Sequence, residues 1–186
     1  MVKSAQSAAL RRQDVVYMHS PAYFNLMKVQ LVDEEVLAPV AVNLGGGRHH
    51  AMRSKAEGFC YVNDVVLGVQ RLLSKGRMKQ VLVVDIDVHH GDGTQEAFYY
   101  SEKVTTISFH LHERGFYPGT RAHSELGAGR GKFNNVNVPL LRGIPDDQFL
   151  EIFQRVVGKA VEAVQPETLL WGRHPGTRST WWIESH

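Results

Sequence analysis

An apolar strand that carries carboxylates inside it is the feature that most constrains this chain. Residues 81–88 read Val-Leu-Val-Val-Asp-Ile-Asp-Val and run straight into His89-His90-Gly91-Asp92-Gly93. Val/Ile enrichment over so short a run favours a buried strand over a helix. A carboxylate in such a segment is costly to bury unless it is paired or meets a cation. With the two-residue period of a strand, Asp85, Asp87 and His89 point to one side. Two carboxylates and an imidazole converging at a strand end are a donor set for a hard or borderline metal ion. A solvated loop of acids and histidines is the alternative, and it leaves the acids within the strand unexplained.

Further apolar runs at 40–44, 104–109 and 136–140 also read as buried strands. Asn63 is placed to cap a helix through Val65, Val66, Val69, Leu72 and Leu73 that Gly76 would stop. Asp146-Asp147 opens a second helix, with apolar residues from Phe149 to Val164 at helical spacing. Strands alternating with helices imply βαβ units, and so an α/β fold with a mainly parallel sheet covered on both faces. Ligand sites in such sheets form at the carboxyl ends of the strands. At 186 residues the chain has the length of one domain.

Gly45-Gly46-Gly47-Arg48-His49-His50 follows another predicted strand, so two imidazoles also belong at that edge. A neutral imidazole can take a proton from an activated water if a carboxylate orients its other nitrogen. Asp85 and Asp92 are the candidates for that orienting role. Gly58-Phe59-Cys60-Tyr61-Val62-Asn63-Asp64 reads as a compact turn leading into the first helix, and Gly115-Phe116-Tyr117-Pro118-Gly119-Thr120 as a second turn whose aromatics can line a pocket. Cys60 is the one cysteine, so an internal disulfide framework is excluded. It is expected to be a small buried side chain rather than a nucleophile. A net charge of +2 gives no argument for nucleic-acid binding, and the apolar runs are too short to span a membrane.

Taken together, GGGRHHA, EGFCYVND, VLVVDIDVHHGDGTQEAFY, VTTISFH, GFYPGT and NVNVPL resemble the zinc-dependent histone deacetylases of the arginase/deacetylase fold. The likeness covers about residues 42–166, with a weaker match to the family's first strand at 15–23. It implies a three-layer α-β-α domain, incomplete here, over 1–168, followed by an aberrant tail over 169–186. By that resemblance Asp87 and His89 bind zinc, and His49 and His50 are the general acid/base pair supported by Asp85 and Asp92. Gly58, Phe59, Cys60 and Tyr117 line the tunnel for the acetyl-lysine stem. Asp85, Asp87, His89, Ser108 and Phe109 surround a structural potassium ion. The implied substrates are acetylated histone tails or other acetyl-lysine proteins. The implied setting is a corepressor complex in the nucleus, with the cytoplasm as a second compartment. An acetylpolyamine or other small-amide hydrolase of the same fold, and an inactive interaction module, are the alternatives.

The chain also departs from the family pattern. The family's third zinc ligand is an aspartate in a Gly-Ala-Asp segment, and this chain has Trp171-Gly172-Arg173-His174 there. The family's late transition-state tyrosine has no counterpart, since no tyrosine follows Tyr117. A helical stretch that carries an acidic rim residue is also missing between Tyr23 and Pro39. Permitted codons for the tail, read one base later, spell the family's Gly-Ala-Asp segment, which is the pattern expected of a frame error after about Thr168. A skipped segment near Val32 is expected on the same grounds.

Overall fold

Val81–Asp85 (β1) is the central strand, and its side chains alternate between two cores although all five residues are buried. A computed structural model describes residues 46–74, 78–120 and 123–172. The strands expected at 40–44 and 15–23, the 27–39 connection, the Gly76 stop and the tail from Arg173 lie outside them. In chain order the elements are Asp64–Ser74 (α1), β1, Asp92–Phe98 (α2), Val104–Leu111 (β2), Asn135–Leu140 (β3), Asp146–Val164 (α3) and Thr168–Gly172 (β4).

The four strands form a parallel sheet in the order β3-β2-β1-β4. Val81 and Val83 face a cluster built with Val66, Leu67 and Val69 of α1 and with Phe98 of α2. Leu82 and Val84 face the opposite cluster, with Ile107, Phe109, Leu140 and Phe149, against which Ile152, Phe153 and Val156 of α3 pack. Two-residue alternation along the four apolar residues of β1 therefore supplies both faces of a three-layer α-β-α sandwich, the class that the sequence predicts. No helix among the described residues is long and apolar enough to cross a membrane.

Two elements differ from the sequence expectation. Thr168–Gly172, most of which falls in the expected tail, is a strand paired with β1 from Val81↔Thr168 to Asp85↔Gly172. A five-residue strand carries little periodicity of its own, and its identity comes from a partner far away in sequence. Asp92–Phe98 is a helix with no apolar stripe, one turn of which carries Gly93. That glycine is needed: a Cβ there would lie 2.7 Å from the His49 carbonyl oxygen and 2.6 Å from that of Ala51.

Asn63 joins the first helix to the site. Its Oδ1 accepts from Val66 N at 3.0 Å, which is the expected cap. Its Nδ2 donates to the His49 and Ala51 carbonyls at 3.3 and 3.2 Å, and to Thr94 Oγ1 at 3.2 Å. Replacing Asn63 by alanine should cost about 1 kcal/mol for the cap. The buried carbonyls left short of a donor should add about 1–3 kcal/mol. Asn63→Asp keeps the cap and loses the donors, so urea unfolding of both variants separates the two contributions. An Asn63→Asp variant as stable as the parent would show that the carbonyl contacts carry no weight.

Candidate functional site

The strand ends at Asp85, so Asp87 and His89 are not aligned by a pleat as the two-residue period predicts. They converge through local hydrogen bonds instead. Asp85 Oδ1 accepts from Asp87 N at 2.9 Å, and Asp87 Oδ1 accepts from His89 N at 2.9 Å. Each carboxylate thus turns the backbone two residues on, which is the local habit of aspartate in turns. The result brings His89 Nδ1 to 3.2 Å from Asp87 Oδ1. Asp87 itself is wholly buried.

Two histidine–aspartate pairs lie beside these groups. His49 Nδ1 is 2.5 Å from Asp85 Oδ2, and His49 Nε2 is 3.8 Å from Asp87 Oδ1. His50 Nδ1 is 2.7 Å from Asp92 Oδ1. A carboxylate accepts only, so the hydrogen in each pair belongs to Nδ1. The two rings are 4.0 Å apart, centroid to centroid. Their environments nevertheless push them in opposite directions. Burial disfavours the charged form of His49, but the charge and hydrogen bond of Asp85, with Asp87 and Asp92 behind them, outweigh it and raise its pKa to about 8. Burial prevails at His50 and lowers its pKa, with the Asp92 hydrogen bond opposing and the neighbouring His49 adding to the effect.

The Gly-rich turn that carries both histidines is fixed from α1. Asp64 accepts from Gly47 N at 3.1 Å and from Arg48 N at 2.8 Å. Sequence reasoning assigned nothing to Asp64, although it closes the EGFCYVND motif next to the predicted cap. Gly58 adopts a φ of +53°, and a Cβ there would run into the His50 ring. The motif's glycine is thus a condition for the turn to pass over the imidazole.

Aromatic side chains surround this floor. Tyr117 meets His50 edge-on at 4.9 Å and His89 at 5.6 Å. Phe116 stacks on His89 at 5.0 Å with an interplanar angle of 9°. Phe116 is one of the two aromatics that the GFYPGT turn offers for lining a pocket, although the family resemblance assigns a tunnel role to Tyr117 alone of the pair. Phe59 is 88% exposed at the rim, while Cys60 beside it is buried, and burial pushes its thiol pKa up. Burial, reinforced by Asp92, also raises the Tyr117 phenol, which keeps its proton. Ser108 lies opposite Asp85 in the β1–β2 register, and its hydroxyl accepts from Gly91 N at 3.4 Å. Phe109 points into the α3-side core.

For a metal ion the donor set fits zinc in kind but not in number. One carboxylate and one imidazole are suitable ligands, while a catalytic zinc site takes three from the protein. Among the described residues no group of three or more His, Cys, Asp or Glu side chains is arranged to hold a metal.

The family model described as a histone deacetylase domain matches residues 25–172. Histone deacetylase 6 of Arabidopsis thaliana is 49% identical over 133 residues, covering 72% of this chain and 28% of that protein. Histone deacetylase 9 of the same plant is 47% identical over 134 residues, covering 72% and 31%. Human histone deacetylase 1 is 47% identical over 131 residues, covering 70% and 27%. The chain thus spans under a third of the length of these curated relatives. The matched stretch takes in the turn that carries His49 and His50, the carboxyl end of β1 and strand β4, and the chain belongs to the histone deacetylase family.

Proposed function

We propose that this chain hydrolyses the amide of acetyl-lysine in histone tails or other proteins, in the nucleus, with zinc as cofactor. The observation that carries the reading is the pair of oriented imidazoles, His49 on Asp85 and His50 on Asp92, set beside Asp87 and His89 under an aromatic rim.

The roles divide by environment. Asp92 holds the His50 ring by Nδ1, so Nε2 is the nitrogen that takes a proton from the attacking water. The same proton then goes to the lysine nitrogen as the carbon–nitrogen bond breaks, releasing acetate and a free amine. His49, biased toward its charged form by Asp85, contributes positive charge where the carbonyl oxygen becomes negative. Phe59, Phe116 and Tyr117 offer apolar faces to the aliphatic stem of a neutral acetyl-lysine. Asp87 and His89 would hold zinc, which when bound lowers the pKa of a water to about 7 and polarises the amide carbonyl. Asp85 and Ser108, with the neighbouring backbone at Asp87, His89 and Phe109, would take the potassium ion.

The short donor set favours a second reading, an interaction module that binds acetyl-lysine proteins or a corepressor without turnover. Metal content and turnover on an acetyl-lysine peptide separate the two. In the enzyme reading zinc co-purifies or restores turnover, and His50→Ala lowers kcat/KM by roughly a hundredfold to ten-thousandfold. Zinc-free, inert protein that still binds the peptide would establish the module. With two donors in place, zinc is expected to be held weakly and lost on dialysis against a chelator. Asp87→Ala should abolish what binding remains, as read by isothermal titration with zinc alone.

A further inference from the structure

We propose that Gln95 is a positioning residue that, through His90 and Thr120, clamps the turn carrying Phe116 and Tyr117 over the imidazole floor. The clamp stands on geometry alone, and its consequence for substrate rests on the deacetylase reading. Gln95 lies in α2, on the sheet face where β2 and β3 turn polar. Its Oε1 accepts from Asn135 Nδ2, Asn137 Nδ2 and His90 Nε2, each at 2.9 Å. Its Nε2 donates to Glu125 Oε2 at 2.8 Å. The orientation of this amide is forced, because a flipped one would set its nitrogen against two amide donors and its oxygen against a carboxylate.

That orientation fixes its neighbour. Gln95 Oε1 can only accept, so His90 Nε2 carries the hydrogen and the neutral ring presents Nδ1 as an acceptor. The Thr120 hydroxyl, 2.9 Å away, donates to it. A directed chain therefore runs from Thr120 to His90 to Gln95 to Glu125, with two β3 asparagines holding its middle. Thr120 is three residues beyond Tyr117. The opposite end of the turn is tied separately, by His112 N donating to Leu140 O at 2.8 Å and by the exposed Arg142–Glu113 pair. Releasing Thr120 frees one end of the segment that stacks Phe116 on His89 and sets Tyr117 against His50.

Thr120 is exposed, so Thr120→Val removes the hydroxyl with little risk to folding. In the full chain, hydrogen exchange over residues 113–120 should quicken roughly threefold to tenfold, the worth of one hydrogen bond, while β1 and β2 exchange as in the parent. Thr120→Ser, which keeps the hydroxyl, should match the parent, and Gln95→Met should reproduce the Thr120→Val effect. On an acetyl-lysine peptide Thr120→Val should raise KM by a similar factor with kcat unchanged. Unaltered exchange in Thr120→Val would overturn the clamp. Quickened exchange with an unaltered KM would overturn the positioning role. A parent that turns over no acetyl-lysine peptide would instead refute the deacetylase reading, with the exchange rates still deciding the clamp.

Discussion

Three carboxylates buried within eight residues, Asp85, Asp87 and Asp92, are the constraint on which the rest of this structure depends. An ionised carboxylate in a protein interior must find donors or a cation, or the fold is heavily penalised. Here the donors come from outside the strand. Asp85 takes His49 Nδ1 and the Asp87 amide, and Asp92 takes His50 Nδ1 and the Gly93 amide. Asp87 takes the His89 amide and ring. The turn at His49 and His50 is therefore a structural requirement of β1, whatever part it has in the proposed chemistry. The contacts that stabilise the acids also fix the tautomers of the histidines.

The same economy shows in how that turn is held. Asn63 caps α1 with one end of its amide and holds the His49 and Ala51 carbonyls with the other. Asp64 grips the amides of Gly47 and Arg48. Gly93 lets α2 come up against the same carbonyls. The first helix, the second helix and β1 thus meet on the turn at residues 47–51. A change that loosens any one of these contacts bears on how the imidazoles are held, so stability and the proposed proton transfer draw on the same contacts.

Much of this is written in local sequence. The β1 run, the Asn63 cap, the α3 stripe from Phe149 and the gathering of acids and histidines at one sheet edge follow from hydrophobic period and turn chemistry. What escaped is non-local or carried by a single side chain. β4 is recognisable as a strand by its parallel register with β1, which no window of five residues contains. α2 puts Phe98 into the core, but Gln95 faces a polar network, so the helix shows no apolar stripe and its period is invisible. The convergence of Asp87 and His89 was legible, but its cause was misread. Side-chain-to-amide hydrogen bonds bend the chain there after the strand has ended.

The site then has two halves of unequal completeness. The half proposed to move protons is whole among the described residues, with each imidazole oriented by its own carboxylate and the pair biased in opposite directions by burial and charge. The metal half supplies Asp87 and His89. Register sets which segments meet at this edge. Asp85 pairs with Gly172, and Ile86 N donates to Gly172 O at 3.2 Å, so the carboxyl end of β4 abuts the start of the metal segment. The fold thus fixes the orientation of the histidines independently of the metal.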